Sequence, residues 1–427
     1  MFYTRKCGEI EESDFGSEQT LCGWLQDTRN LGGIAFLQLR DITGVIQLTL
    51  LKKKLGDENF KSWANINRES IILVRGIVKE NKEAPGDVEM LPDNIELLNE
   101  AETPLPLGVI DKIDSEIETR LNARYLDLRK TEIAANFQIR AAISGAVHKH
   151  LRRENFLEVQ TPKIIASATE GGTSLFEMKY FDKTAYLAQS PQLYKQMLMS
   201  GGLERVYEVG PAFRAEEHNT PRHLNEFISI DIEMSFADDD VVMGVMERLV
   251  STVARTVSKE TKALKTLGLE PIELELPLPR ITYDEAVEMA QGKVKWGEDL
   301  SMEATRAIAE QMNGFYFITK WPLSLKPFYI QPDDDPKYSK GFDFMYNEIE
   351  MTSGGQRVHD VNLLRERLKE QGLDPEGFNH YLDPFRYGMP PHAGWGLGLD
   401  RLAMIFAGAK NVRECVLFPR DRNRMTP

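Results

Sequence analysis

The spacing of apolar residues changes period at about residue 132, and that change limits what the chain can fold into. Between 21 and 99 apolar and polar residues alternate in short runs cut by turn residues, the pattern of half-buried strands. From about 132 onward apolar residues recur every three to four positions over longer runs, as on amphipathic helices. Thr103-Pro104-Leu105-Pro106, which resists regular structure, opens the stretch between them. The expected organisation is therefore a β domain over 1–104, a hinge over 105–131 and a larger mixed domain over 132–427. A chain of 427 residues is long enough for this, at roughly 100–200 residues per domain.

The alternation predicts five strands: Leu21–Asn30, Ile34–Asp41, Val45–Leu51, Ser70–Lys79 and Val88–Leu98. A short helix over Asp57–Ala64 falls between the third and fourth. Five strands with a helix in that slot suggest an OB-type barrel, a common nucleic-acid reader, although another small β-barrel fits the pattern too. In the second strand Ala35, Leu37 and Leu39 share one face, and Ile34, Phe36, Gln38 and Arg40 share the other. Phe36 thus stands among polar residues, and Gln47 on the third strand points away from Ile46, Leu48 and Leu50. An aromatic platform beside an amide suits base stacking and base-edge hydrogen bonding. The alternative is that Phe36 packs under a loop.

In the larger domain Ile133, Phe137, Ala141, Val147 and Leu151 mark a helix to about Arg153. Phe156–Val159 reads as a strand ending at Thr161-Pro162. Further helices are expected over 240–262, 283–291 and 301–312, a helical insertion at about 240–312. Asp333-Asp334-Asp335 reads as a solvated loop, since nothing nearby supplies metal-ligand spacing.

Lys and Arg number 52 against 66 Asp and Glu, a formal charge of −14. A general polyanion binder would be basic, so any nucleic acid must be held by local patches. Cys7, Cys22 and Cys415 cannot form a disulfide framework and none lies in a C-x-x-C, which fits a reducing cytosol. No apolar run reaches about 18 residues, so no spanning helix is expected. The segment 1–12 has no apolar core and turns acidic, so no secretion signal is expected and the location is read as cytoplasmic.

Three stretches carry the chemistry. Val209–Glu233 reads strand, loop, strand, with Arg214 closing the first strand and Glu216, Arg222 and His223 in the loop. In its second strand Phe227, Ser229, Asp231 and Glu233 have one parity, and a polar face in a core-like strand costs stability unless it serves a site. Glu350–Arg357 combines carboxylate, Ser353, two glycines that permit close backbone approach, and an arginine able to fork onto a carboxylate. Gly394–Leu402 is a glycine-rich loop leading into a helix that carries Arg401. Alone, that loop is a weak phosphate signal and would read as a tight turn.

Together these stretches resemble the signature motifs of class II aminoacyl-tRNA synthetases. Thr161-Pro162 with the helix and strand before it is similar to motif 1, Phe213–Glu233 to motif 2, and Gly396–Arg401 to motif 3. The barrel narrows the resemblance to the aspartyl/asparaginyl/lysyl subgroup. Gln189-Ser190-Pro191-Gln192-Leu193-Tyr194-Lys195, Gly354-Gly355-Gln356-Arg357 and Phe418–Arg422 are similar to archaeal-type aspartyl enzymes. The implied fold is α+β, an OB-fold barrel plus an antiparallel catalytic sheet flanked by helices.

The resemblance implies a ligase that joins aspartate to ATP as aspartyl-adenylate and then to the 3′ end of tRNA(Asp), and of tRNA(Asn) as well. Arg214 and Arg401, with Glu350, would be catalytic. Glu216, Arg222, His223, Leu224, Phe227, Gly398 and Asp400 would join them in holding ATP, with Phe227 and Arg401 on opposite faces of adenine. Asp343, Glu350 and Ser353 would hold Mg²⁺. Lys195 and Arg357 would bind the side-chain carboxylate of aspartate; Ser190, Gln192 and Asp231 its amino end; Glu170 would sit in a flap over it, Ser167–Ser174. Arg29, Phe36 and Gln47 would read the anticodon. Gln26 and Pro85 fall at positions tied to discrimination between the two tRNAs, where Pro85 fits the relaxed form and Gln26 fits neither form. A homodimer is expected, with motif 1 at its interface. Rival readings are a strictly tRNA(Asp)-specific enzyme, an asparaginyl-tRNA synthetase, an ammonia-dependent asparagine synthetase, which lacks the barrel, and a non-catalytic relative.

Overall fold

Five strands close on themselves into a barrel in the order β1-β2-β3-β5-β4, with β1 Glu18–Asn30, β2 Ile34–Arg40, β3 Val45–Leu51, β4 Ile71–Glu80 and β5 Val88–Asn99. The computed structural model describes residues 2–110, 115–166, 175–217 and 220–427. Contacts divide the chain into two units, 1–130 and 131–427.

The barrel core is the alternating apolar set: Leu21, Leu25, Ala35, Leu37, Leu39, Ile46, Leu48, Leu50, Ile72, Val74, Val78 and Met90 are all buried. The helix Asp57–Ala64 lies where the sequence places it and adds Phe60 and Ala64 to that core. Each fully buried Leu or Ile contributes about 1.5–3 kcal/mol relative to exposure. One residue departs from the parity expectation. Arg40 lies on the face expected to be less buried yet is 5% exposed, because Glu69 accepts from its Nη2 at 2.7 and 3.0 Å. Glu69 also accepts from Arg129 at 2.9 Å, so two cations offset the cost of burying one carboxylate. Leu107, Val109, Ala123 and Leu126 form a small apolar cluster of their own in this unit.

The second unit is built on an eight-stranded sheet in the order β12-β13-β14-β15-β16-β11-β10-β6. Its strands are β6 Leu157–Glu158, β10 Arg205–Phe213, β11 Glu226–Ser235, β12 Arg280–Thr282, β13 Phe315–Thr319, β14 Gly341–Tyr346, β15 Ile349–Gln356 and β16 His392–Gly398. A three-stranded sheet, β7-β9-β8, is made of β7 Ile164–Ile165, β8 Glu177–Tyr180 and β9 Lys183–Leu187. β10, β11, β16, β15 and β14 pair antiparallel in succession.

One face of the large sheet packs on two helices, Thr131–Arg153 and Asp239–Val257. Ile230, Ile232, Trp395, Leu397, Phe342 and Phe344 point into this core with Ile139, Ile143, Val147, Val242, Leu249 and Val253. Asp238 caps the second helix by accepting from Val241 N at 3.0 Å. The helix expected over 240–262 is two: it stops at Val257, three-residue-spaced bonds tighten 259–260, and a second runs over Thr261–Leu267. Helices Tyr283–Met289 and Met302–Met312 follow, with β12 between them and the earlier pair at the edge of the large sheet. No described helix is long and apolar enough to cross a membrane.

The glycine-rich segment 394–398 is not a loop. It is the inner strand β16, between β11 and β15, and the helix Leu399–Phe406 starts directly from it. Its glycines answer a steric demand. A Cβ at Gly394 would collide with the Glu233 carboxylate and the Ile232 carbonyl, and one at Gly396 would come within 2.9 Å of Asp231 Oδ1.

Candidate active site

Because β11 alternates, the residues that leave Ile230 and Ile232 in the core put Phe227, Ser229, Asp231 and Glu233 on the opposite face. On that face a cavity of about 330 Å³ opens. Arg214, Glu216, Arg222, His223, Leu224 and Phe227 line it from β10, β11 and the loop between them. Glu350 and Ser353 line it from β15, and Gly398, Asp400 and Arg401 from the end of β16 and the helix after it. Ser190, Gln192, Asp231 and Arg357 line it too. Residues far apart in sequence thus meet at one hollow.

Arg214 stands at the end of β10, with its backbone N–H bonded to Asn225 O at 2.9 Å. The Asn225 side chain donates to Arg214 O at 2.7 Å and Glu216 O at 3.2 Å, stitching the loop to the strand. Asn225 is a residue the sequence reading did not single out. The Arg214 guanidinium lies 5.3 Å from the centre of the Phe227 ring. Arg401 donates to Glu350 O at 2.8 Å and to Arg222 O at 3.3 Å. Burial and the neighbouring cation Arg214 both act to lower the Arg401 pKa. Burial and the charge of Arg401 likewise hold His223 below the usual imidazole range. Four arginines, Arg214, Arg222, Arg357 and Arg401, border the cavity beside four carboxylates, Glu216, Asp231, Glu350 and Asp400, so an anionic ligand is held by locally clustered cations rather than by a net positive lining.

Asp400 lies at the first turn of its helix and is 2% exposed. It accepts from Ile228 N at 2.8 Å and pairs with Arg140 at 2.6 Å, so its carboxylate is committed to the protein as it borders the cavity. Arg140 was another unanticipated participant.

The amino-acid end is a compact charge array. Arg357 donates through Nε to Glu233 Oε1 at 2.9 Å and through Nη2 to Glu233 Oε2 and Gln192 Oε1, each at 3.4 Å. Burial opposes its charge, and Glu233 more than restores it, so its pKa is raised. Lys195 is 2% exposed and is not part of the cavity wall. Its ammonium donates to Asp231 Oδ1 at 2.9 Å and to the carbonyls of Ile232 and Trp395, both at 3.1 Å, while Glu233 Oε2 lies 3.4 Å away. An ammonium has three protons and all three are engaged here. Lys195 therefore braces Asp231 from beneath, and Arg357 is the cation that reaches the hollow.

Glu350 opens to solvent through the cavity mouth and is otherwise enclosed by protein; that enclosure, then the charge of Asp343, pushes its carboxyl up to about 7. Asp343, directly opposite Ser353 across β14 and β15, does not border the cavity. Lys326 grips both its oxygens, at 2.7 and 2.8 Å. Among the described residues no group of three or more His, Cys, Asp or Glu could hold a metal. Glu350 and Ser353 offer the cavity hard oxygens of the kind Mg²⁺ prefers, and Asp343 is a third such group whose oxygens are held by Lys326. Glu170 and the flap Ser167–Ser174 lie among 167–174, outside the described residues.

In the barrel, Arg29 faces Phe36 across β1 and β2, and Phe36 faces Thr49 across β2 and β3. Gln47, two residues along, shares their outward face. Its amide donates to Glu89 Oε2 at 3.3 Å. Gln26, at the bulge in β1, donates to Gln38 at 3.2 Å and accepts from Arg40 at 3.3 Å. Pro85 is exposed in a tight turn before β5.

A family model described as tRNA synthetases class II (D, K and N) matches residues 116–422, and one described as OB-fold nucleic acid binding domain matches 19–98. A protein of Archaeoglobus fulgidus called aspartate–tRNA(Asp/Asn) ligase is 53% identical over 419 residues, covering 96% of this chain and 97% of the relative. A Thermoplasma acidophilum protein called aspartate–tRNA(Asp) ligase is 48% identical over 423 residues, covering 98% of each. The crystal structure of asparaginyl-tRNA synthetase from Pyrococcus horikoshii complexed with asparaginyl-adenylate superposes with a TM-score of 0.94 at 34% identity, over 100% of both chains.

Proposed function

The chain belongs to the class II tRNA synthetases of the D, K and N group, and from that premise we propose that it activates L-aspartate with ATP and esterifies it to tRNA(Asp) and tRNA(Asn). The observation that carries this is the single cavity bordered at once by Arg214, Arg401, Phe227 and Arg357. A triphosphate and a dicarboxylic amino acid are both anionic, and their joining needs fixed cations rather than a protein nucleophile.

In the first step the α-carboxylate of aspartate attacks the α-phosphorus of ATP and pyrophosphate leaves. Arg214 bridges the attacking carboxylate and the α-phosphoryl oxygens, and Arg401 holds the far phosphates. Phe227 stacks on adenine, with Arg401 on its other face. Glu216, Arg222, His223 and Leu224 place the nucleotide, with Gly398 and Asp400 beneath it. Glu350, with Asp343 and Ser353, would hold Mg²⁺, which would supply neutralisation of phosphate charge.

Arg357 receives the side-chain carboxylate, backed by Lys195. Asp231, Ser190 and Gln192 take the amino end. Asparagine sets an amide NH₂ where Arg357 presents an N–H donor, which is the basis of its rejection. In the second step the terminal ribose hydroxyl of tRNA displaces AMP. Residues 1–104 read the anticodon through Arg29, Phe36 and Gln47. The segment 105–131 acts as the hinge, and 132–427 is catalytic, with the helical insertion at about 240–312. The enzyme works as a cytoplasmic homodimer paired through its motif 1 helix.

Relaxed tRNA choice is favoured by Pro85 and by the Archaeoglobus relative's name; the Thermoplasma relative's name keeps the strict reading alive. Charging tRNA(Asp) and tRNA(Asn) transcripts with labelled aspartate decides it. Comparable charging of both is expected, and charging of tRNA(Asp) alone would leave the strict reading standing.

A further inference from the structure

Behind Arg357 a chain of buried polar side chains runs from Gln192, which borders the cavity, to Gln196, Tyr381 and His392, which do not. His392, on β16, is fully buried, as are Gln196 and Tyr381, and Gln192 is 6% exposed. His392 Nδ1 lies 2.8 Å from Pro390 O, and its Nε2 lies 3.0 Å from Gln196 Nε2. Gln196 Oε1 accepts from Gln192 Nε2 at 2.9 Å and from Tyr381 Oη at 3.2 Å. Gln192 Oε1 then accepts from Arg357 Nη2 at 3.4 Å.

Every direction in this chain is forced. A backbone carbonyl can only accept, so His392 carries its proton on Nδ1 and presents a lone pair at Nε2. That lone pair selects the NH₂ of Gln196, which turns the Gln196 carbonyl toward Gln192. The same logic turns the NH₂ of Gln192 inward and its carbonyl toward Arg357. Arginine can only donate, so the far end demands the same polarity as the near end. Burial holds the imidazole pKa down to about 4, which keeps His392 neutral at neutral pH.

We propose that His392, acting through Gln196 and Gln192, is a positioning residue that fixes the approach of Arg357 and thereby sets the preference of this site for a carboxylate over an amide side chain. The proposal rests on the reading of the site as one that activates aspartate. With the chain intact, Nε and Nη2 of Arg357 are held by Glu233 and Gln192, and the guanidinium meets its ligand in one orientation. With the chain cut, only the 3.4 Å contact with Arg357 holds the Gln192 carbonyl, and the Gln192 side chain is free to swing away. Arg357 then loses an acceptor and its fixed approach, and the penalty for an uncharged side chain falls.

The test is pyrophosphate exchange with aspartate and with asparagine, using the full-length enzyme, the Gln196→Met variant and the His392→Leu variant. Met fills the space of Gln196 but neither donates nor accepts strongly. In both variants KM for aspartate rises and the aspartate-over-asparagine ratio of kcat/KM falls about tenfold, the effect of one lost bond to a charged group, while KM for ATP stays put. His392→Gln, which keeps one donor and one acceptor, restores part of the ratio. Active-site titration normalises each rate to folded enzyme, so lowered stability alone leaves the ratio unchanged. An unchanged ratio in both cut variants, beside a wild type selective for aspartate, overturns the proposal alone. A wild type that exchanges with asparagine and not with aspartate overturns the reading of the site and the proposal with it.

Discussion

Arg140 and Asp400, 260 residues apart in sequence, are joined by an ion pair of 2.6 Å. The other oxygen of Asp400 accepts from Ile228 N, the residue after Phe227. One carboxylate therefore ties the helix Thr131–Arg153 to the strand that presents Phe227 and to the helix that presents Arg401. The catalytic arginine is thus aimed by a contact whose other half lies in the first helix of its unit.

Arg140→Met leaves Asp400 buried and uncompensated, which costs about 3 kcal/mol in a buried pair. Urea denaturation is expected to show that loss, and a double variant with Asp400→Asn to recover part of it. A midpoint unmoved by Arg140→Met would show the pair to be energetically idle.

Gly394→Ala places a methyl against the Glu233 carboxylate and the Ile232 carbonyl. Glu233 must move, and Arg357 with it, so aspartate-dependent pyrophosphate exchange is expected to collapse. Gly377→Ala, where the added carbon meets nothing within 4 Å, serves as the control and keeps wild-type exchange.

Phe36→Ala removes a base-stacking surface worth about 1–3 kcal/mol per base. KM for tRNA is expected to rise by roughly 5- to 150-fold on that basis. Pyrophosphate exchange, which needs no tRNA, stays at the wild-type rate. A variant that charges tRNA with unchanged KM would return Phe36 to a packing role.

Burial, reinforced by the charges of Asp240 and Asp238, pushes the carboxyl of Asp239 up to about 6. A raised folded pKa means that ionisation is costlier in the native state than in the unfolded chain. Its stability contribution is therefore full at low pH and lost as pH rises through about 6. Asp239→Asn is expected to raise the Tm near pH 8 and to leave it unchanged near pH 4, measured by thermal melts across pH. A gain of equal size at both values contradicts that origin.

Much of this was legible in the sequence because period and parity are local. Parity along β2 and β3 separated Phe36 and Gln47 from the barrel core, and parity along β11 put Phe227, Ser229, Asp231 and Glu233 on one face. Where the reading failed, a distant partner decided. Arg40 is buried because Glu69 reaches it, and Lys195 turns from the cavity because Asp231 and two carbonyls take its protons. The glycines of β16 read as a loop, since nothing local says that the Glu233 and Asp231 carboxylates fill the space a side chain would need. Arg140 and His392 carried no local signal, for their side-chain partners lie 260 and 196 residues away, and the helical neighbour Gln192 of Gln196 says nothing of the His392 at its other end.

The central claim is that cations from separate motifs act on one triphosphate and one dicarboxylic amino acid in a shared hollow. The most direct measurement is pyrophosphate exchange by the wild type and Arg357→Ala, with tRNA binding followed in parallel. The account predicts robust aspartate-dependent exchange in the wild type, none in the variant, and tRNA affinity close to equal in both. Normal aspartate-dependent exchange by Arg357→Ala would contradict it.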